Sequence, residues 1–314
     1  MNVILLGAAG FIGTNLAIRL SETGRDHITL IDKDKSFFKH IEKLKLNNIE
    51  IKQSEFEEDT DFKSFLKQQD VVYHLISTTV PTTSNQRIPD ELSKNIITTS
   101  RMLEACVECG VKKVVFISSG GTVYGKESSC PLKEETPTYP ITSYGVQKIT
   151  IEKLLYLYKY THKLDYRVIR LANPYGPYQR PNGILGAVTT FTYKALKNEE
   201  IVVYGDGTVI RDFIYIEDAV RGIINIVEGE SEYTTFNLGS GYGTSIHEVI
   251  DTIEEVLGTD LNIIYKEARK VDVPVNYLDI SRYEKAYGRL NPSDLKNGIL
   301  KTAEFIKYYY NIQE

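Results

Sequence analysis

Residues 3–13 read VILLGAAGFIG: four apolar residues, then glycines at 7, 10 and 13, then the opening of an apolar helical pattern. An unbroken apolar run fits a strand buried on both faces, the habit of parallel sheets covered by helices. Glycines at this spacing let the backbone turn tightly, let a pyrophosphate approach and let helix pack on strand. The helix N-terminus that follows offers free N–H groups and the positive end of a dipole to the phosphates. The spacing is GxxGxxG rather than GxGxxG. Its weight comes from the setting, between a strand and a helix at the head of a βαβ run.

Outward from this turn, apolar runs at Val3–Leu6, Ile28–Ile31, Ile49–Lys52, Val71–Leu75, Val114–Ile117 and Tyr166–Leu171 alternate with helical patterns near 11–22, 35–45, 60–69, 91–109 and 143–161. The alternation predicts an α/β fold, a Rossmann-type doubly wound parallel sheet. After Leu171 the rhythm breaks. Residues 173–183 hold three prolines and two glycines and read as loop. Helices near 184–197, 217–228, 245–257 and 293–310, with strands near 201–203 and 234–238, predict a smaller α/β substrate-binding domain. The expected boundaries are 1–172 for the first domain, with 212–244 packing back on it, and 173–211 with 245–314 for the second.

The chain has 314 residues, 37 Lys+Arg against 42 Asp+Glu and a net charge of −5, with 42% apolar and 25% charged residues. This composition fits a soluble globular protein and disfavours a nucleic-acid binder, so an anionic ligand needs arginines placed locally. Cys106, Cys109 and Cys130 form no disulfide framework and suit a reducing compartment. The Cys106/Cys109 spacing lacks a second CxxC or His pair, so no metal is expected. Residues 1–18 carry no charge, yet no basic start precedes them, and Gly7, Gly10, Gly13, Thr14 and Asn15 crowd the stretch. Neither a signal peptide nor a membrane span is expected, and the protein is expected in the cytoplasm.

Asp32 ends the second strand, 19 residues after Gly13. A carboxylate there accepts the adenosine ribose hydroxyls and repels a 2′-phosphate, which favours NAD over NADP, although Lys33 and Lys35 could offset the repulsion. Tyr144 and Lys148, in SYGVQK, lie four residues apart and share one helix face. A free tyrosine, with a pKa of about 10, is a poor base at neutral pH. A lysine one turn away, together with the charge of an oxidised nicotinamide, stabilises the phenolate. His27, His40, His74, His162 and His247 form no motif, and His74 reads as satisfying a backbone carbonyl. The Ser/Thr-rich stretch Ser77–Ser84 follows the fourth strand and fits either a sugar contact or a solvated loop.

GAAGFIG, Asp32, HLIS (74–77), FISSGGTVYG (116–125) and SYGVQK (143–148) together resemble the extended short-chain dehydrogenases/reductases. Within these, the chain is similar to the NAD-dependent sugar-nucleotide epimerases of the UDP-glucose 4-epimerase type. RLANPYGPYQ (170–179), VYGDGTVIRDFIYIEDA (203–219) and RKVDVPVNYLDISR (269–282) carry the resemblance nearly end to end. It implies that Gly7, Gly10, Phe11, Ile12 and Gly13 hold the pyrophosphate of NAD, and that Asp32, with Lys33 beside it, holds the ribose. Glu55-Phe56 stands beside the adenine, where the family usually has Asp and an aliphatic residue. Leu75 and Ile76 line the nicotinamide channel, and Asn95 lies near the cofactor. Lys148 bonds the nicotinamide ribose, and Tyr144 is the base. Asn173, Arg211 and Arg269 grip the nucleotide diphosphate, which suits bidentate guanidinium chemistry. Asn276 falls where room for a 2-N-acetyl group is set, and the helices near 91–109 and 143–161 imply a homodimer.

One departure concerns the proton path: the family's catalytic Ser or Thr falls on Gly120, leaving Ser119 and Thr122 as the nearest hydroxyls, with Thr122 slightly preferred. The Asp-Glu pair of the 4,6-dehydratases is also missing, at Gly121-Thr122. The expected reaction is inversion at C4 of a nucleotide sugar, by hydride transfer to NAD⁺ and return to the other face of a 4-keto sugar. The alternatives are a sugar-nucleotide 4-reductase or dehydrogenase that consumes its cofactor, and a catalytically silent NAD-binding scaffold.

Overall fold

The computed structural model describes residues 1–79, 81, 83–126, 129–181, 186–268 and 273–312. The first half of the chain runs β1 (Asn2–Leu6), α1 (Phe11–Glu22), β2 (His27–Asp32), α2 (Lys39–Glu42), β3 (Ile49–Gln53), α3 (Lys63–Leu66), β4 (Val71–His74), α4 (Ile88–Leu92), α5 (Thr98–Glu108), β5 (Lys113–Ser119), α6 (Ser143–His162) and β6 (Asp165–Leu171). The second half runs β7 (Asn173–Tyr175), α7 (Ala187–Leu196), β8 (Ile201–Tyr204), β9 (Ile210–Arg211), β10 (Phe213–Tyr215), α8 (Ile216–Glu228), β11 (Thr235–Leu238), β12 (Thr244–Ser245), α9 (Ile246–Leu257), β13 (Ile263–Lys266), β14 (Val275–Asn276), α10 (Ser281–Tyr287) and α11 (Leu295–Tyr310).

Seven strands form one sheet in the order β3-β2-β1-β4-β5-β6-β11. The pairs β1–β2, β2–β3, β1–β4 and β4–β5 are parallel. This is the doubly wound Rossmann order, and it reverses between β1 and β4, where such sheets bind ligands beyond their carboxyl ends. Ile4, Leu6, Val72, Val114, Phe116 and Val168 from the sheet pack with Met102, Leu103 and Leu155 from α5 and α6 in one buried core.

The six strands expected in this half form to within two residues at either end, and α1 spans 11–22 as expected. The helix expected over 91–109 is broken. α4 ends at Leu92, and Ser93–Ile97 form a π-turn before α5. Asn95 Nδ2 donates to the Glu91 carbonyl at 2.9 Å, and Thr99 Oγ1 donates to the Asn95 carbonyl at 2.6 Å. Side chains inserted in the helical ladder in this way loosen its register. The patterns at 35–45 and 60–69 shorten to a 3₁₀ turn with α2 and to the single turn of α3.

Two compact units emerge from the contacts: Met1–Val123, Thr142–Arg170 and Glu230–Thr235 in the first, and Tyr124–Ile141, Leu171–Gly229 and Phe236–Glu314 in the second. Of the segment 212–244, expected to rejoin the first domain, β11 joins the seven-stranded sheet and Glu230–Thr235 falls in the first unit, while the remainder lies in the second. Asp212 accounts for the difference. It is fully buried and accepts from Ser240 N (2.7 Å), Ser240 Oγ (2.7 Å) and Leu278 N (3.2 Å), all within the second unit. Residues 124–141, expected in the first domain, also belong to the second unit. Leu132 N donates to the Tyr277 carbonyl, and Tyr124 donates its hydroxyl to Asn237 Oδ1 at 2.6 Å.

The second unit holds the parallel pairs β7–β10 and β8–β13 and the small sheet β12-β9-β14. The stretch read as loop from 173 therefore begins with a strand: Pro174 is tolerated because β7 belongs to a sheet of only two strands. Among the described residues no helix is long and apolar enough to cross a membrane.

Candidate active site

The glycine turn is fixed from both sides. Gly7 has φ +84°, and a Cβ there would stand 2.9 Å from Ile76 Cγ1; a Cβ on Gly13 would stand 2.7 Å from the Ala8 Cα. The Gly7 and Ala8 amides donate to the Ile31 carbonyl at 2.9 and 3.0 Å, tying the turn to β2. Asp32 ends β2 and accepts from Ala9 N (3.0 Å) through Oδ2 and from Lys33 N (2.9 Å) through Oδ1. Its carboxylate is thereby held beside the turn. Gly10 precedes α1 without a side-chain cap, and no acidic residue occupies the first turn, so Phe11 and Ile12 open a helix terminus suited to an anion. The cradle fits a dinucleotide pyrophosphate, and Asp32 fits a ribose diol.

Around it, Lys33 and Glu55 are exposed, and Leu75 and Ile76 leave β4 half-buried. The Phe56 ring packs at 5.4 Å from Phe62 and 5.2 Å from His74. Asn95 is buried and commits its amide to local contacts, accepting from Thr78 N (3.0 Å) and donating to Thr78 Oγ1 (2.7 Å). It fastens the loop that leaves β4. Thr79 in that loop donates to Gln147 Oε1 at 3.0 Å, so this end of the Ser77–Ser84 stretch is anchored on α6. Val80 and Thr82 lie outside the described residues.

α6 starts at a Thr142 cap, whose side chain accepts from Gly145 N at 3.1 Å, and this places Tyr144 in the first turn and Lys148 one turn later. Lys148 is 6% exposed, and its ammonium donates to the Ile117 carbonyl at 2.8 Å. It lies 5.4 Å from the Tyr144 ring centroid and 4.6 Å from that of Phe116. Burial draws the lysine down to about 8, against a counter-effect from Glu152, and pushes the Tyr144 phenol up to about 12.

Ser119 ends β5 and Gly120 follows it. The Thr122 hydroxyl is buried and has no hydrogen-bond partner within the described residues. His74 departs from expectation: its Nε2 pairs with Thr99 Oγ1 at 2.9 Å rather than with a carbonyl, and its Nδ1 has no partner among the described residues. Burial holds its imidazole neutral, with the pKa down to about 3.

In the second unit, Asn173, Arg211 and Asn276 come together around Asp212. Asn173 donates its amide to the Asp212 carbonyl at 2.9 Å, and Arg211 and Asn276 are paired across β9 and β14. The Arg211 guanidinium donates to the Ile210 and Val273 carbonyls at 2.8 and 2.5 Å. Arg269 lies outside the described residues. Residue reasoning missed Asp212, whose signal is its place beside Arg211. It also missed Glu152, two turns beyond Tyr144 on the same helix face.

Comparison with known proteins places the chain in a family. The NAD dependent epimerase/dehydratase family matches residues 3–239. The UDP-glucose 4-epimerase of Mycolicibacterium smegmatis is 30% identical over 310 residues, covering 98% of this chain and 99% of the relative. The crystal structure of UDP-glucose 4-epimerase from Thermotoga maritima with UDP-glucose superposes with a TM-score of 0.89 at 30% identity, over 99% of this chain and 100% of that one. The UDP-glucuronic acid 4-epimerase of Bacillus cereus, in complex with UDP-glucuronic acid and NAD, gives a TM-score of 0.88 at 28% identity, over 99% and 100%. The chain belongs to the NAD dependent epimerase/dehydratase family, and its cofactor is NAD.

Proposed function

We propose that the protein inverts C4 of a UDP-linked sugar through a transient 4-keto intermediate. The observation that carries this reading is the pairing of Tyr144 with a buried Lys148 ammonium, 5.4 Å from its ring, in the unit that holds the glycine turn and Asp32. When bound, NAD supplies reversible oxidation at C4. Gly7, Gly10, Phe11, Ile12 and Gly13 hold its pyrophosphate, Asp32 and Lys33 flank its ribose, and Glu55, Phe56, Leu75, Ile76 and Asn95 shape the rest of its bed.

Tyr144 takes the proton of the 4-hydroxyl and returns it after inversion. At about 12 the phenol is too weak a base on its own. A unit positive charge roughly 5 Å away, at an effective dielectric constant of about 20, is worth about 3 kcal/mol, or about two pH units. Lys148 therefore covers part of the distance to neutral pH, and the nicotinamide charge is needed for the remainder. Thr122, whose buried hydroxyl has no partner among the described residues, takes the hydrogen bond to the sugar that Gly120 cannot make, and Ser119 is the alternative donor. Asn173, Arg211 and Arg269 hold the diphosphate. Asn276, buried and smaller than a tyrosine, leaves room for a 2-N-acetyl group. Ile97, Tyr156, Leu157 and Tyr160, exposed on and near α5 and α6, support a homodimer through these helices.

Proton NMR of the purified protein with UDP-glucose, UDP-galactose, their N-acetyl forms and UDP-glucuronic acid tests the reading. Interconversion at C4 without net NADH is expected. Gly120 favours a second reading, a sugar-nucleotide 4-reductase or dehydrogenase, and stoichiometric consumption of the cofactor would support that reading instead.

A further inference from the structure

Among the described residues the buried Lys148 makes no ion pair, although a carboxylate stands one turn further along α6, at Glu152. A lysine and a glutamate four residues apart ordinarily meet on the helix surface. Here the carboxylate is engaged elsewhere. Arg170, from β6, donates Nε to Oε1 at 3.1 Å and Nη2 to Oε2 at 2.7 Å, and the Ser118 hydroxyl donates to Oε1 at 2.6 Å. Glu152 and Arg170 are 7% exposed each, and Ser118 is 3% exposed. The preceding residue on β5, Ile117, takes the Lys148 ammonium on its carbonyl. Two successive residues of one strand thus hold the lysine and the glutamate apart.

We propose that Ser118, Glu152 and Arg170 act as a positioning unit that keeps the Lys148 ammonium charged yet unpaired, so that its field falls on the Tyr144 hydroxyl. The glutamate offsets the cost of burying the ammonium, and the arginine stops the glutamate from capturing it. The remaining neighbours cannot do either task. His74 on β4 is neutral, Tyr144 is the group acted on, and β5 contributes the Phe116 ring, the Ile117 carbonyl and the Ser118 hydroxyl. The inference rests on Tyr144 and Lys148 being the proton-handling pair.

The test is a lysine ¹³Cε NMR titration of the full-length protein with and without NAD, with the Lys148 signal assigned by its loss in Lys148→Met. Tyr144 ionisation is followed in parallel as the phenolate absorbance difference between each protein and its Tyr144→Phe counterpart. Glu152→Gln is expected to lower the Lys148 titration by about one pH unit, and Arg170→Met to raise it by about one unit. With NAD bound, where the nicotinamide charge brings the phenol below the lysine, both variants raise the Tyr144 titration, because the ammonium is discharged in one and captured in the other. Ser118→Ala shifts Lys148 upward by a smaller amount and stands in should Arg170→Met fail to fold. An unmoved Lys148 in folded Glu152→Gln, or the same direction of shift on removing Glu152 and on removing Arg170, overturns the proposal. The readout is independent of which sugar is turned over: these shifts in a protein that inverts no sugar would support the unit and count against the epimerase reading.

Discussion

Tyr144 acts on the substrate directly in this account, so Tyr144→Phe removes the proton acceptor while leaving the ring in place. The expected loss in kcat is about 10²–10⁴-fold with KM little changed, read by steady-state kinetics on the interconverted sugar pair. Thr122→Val keeps the shape and deletes a buried hydroxyl that has no partner among the described residues. A loss of about tenfold or more in kcat with an unchanged Tm is expected, whereas unaltered kinetics would move the role to Ser119. Lys148 carries the pH dependence. Burial draws it to about 8 while the phenol stands at about 12, so rising pH discharges the lysine before the uncharged phenol would ionise. The kcat profile should fall above about pH 8, and Lys148→Arg, which stays charged, should carry the falling limb to higher pH.

At the scale of the element, the glycine turn is the most sensitive joint. Gly13→Val puts side-chain atoms where a Cβ alone already stands 2.7 Å from the Ala8 Cα. Helix α1 must move off β1, and NAD affinity, followed by nicotinamide fluorescence or calorimetry, should fall more steeply than in Phe11→Ala. This element was the most legible in the sequence because every term that decides it is local: an apolar run, three glycines and an apolar helix within 20 residues. The π-turn at Ser93–Ile97 was not legible, because it depends on where the Asn95 amide and the Thr99 hydroxyl point. β7 was hidden by Pro174 and exists through its pairing with β10, forty residues away along the chain. In the candidate site, Tyr144, Lys148 and the turn could be read from spacing. The Ser118–Glu152–Arg170 network could not, since it joins a strand end, a helix and a second strand.

For the whole molecule, burial of neutral His74 makes stability depend on pH. Its folded pKa of about 3 lies below the ordinary value of 6.5, so the unfolded chain binds the extra proton between those limits. This contribution is complete above pH 6.5 and shrinks by about 1.4 kcal/mol for each unit of acidification down to about pH 3. Denaturant unfolding of the protein and of His74→Gln across that range should show the dependence weakened in the variant. The chain is built as two units, one carrying the turn, Asp32, Tyr144 and Lys148, the other carrying Asn173, Arg211 and Asn276. On the proposed function, oxidation and its reversal fall to the first and retention of the nucleotide sugar to the second. A sugar nucleotide carrying deuterium at C4 tests that central claim most directly. Incubated with the NAD-loaded protein and followed by NMR, it should yield the C4 epimer with deuterium kept at C4 and no build-up of reduced cofactor. Loss of the label to solvent, or one reduced cofactor formed for each sugar oxidised, would contradict it.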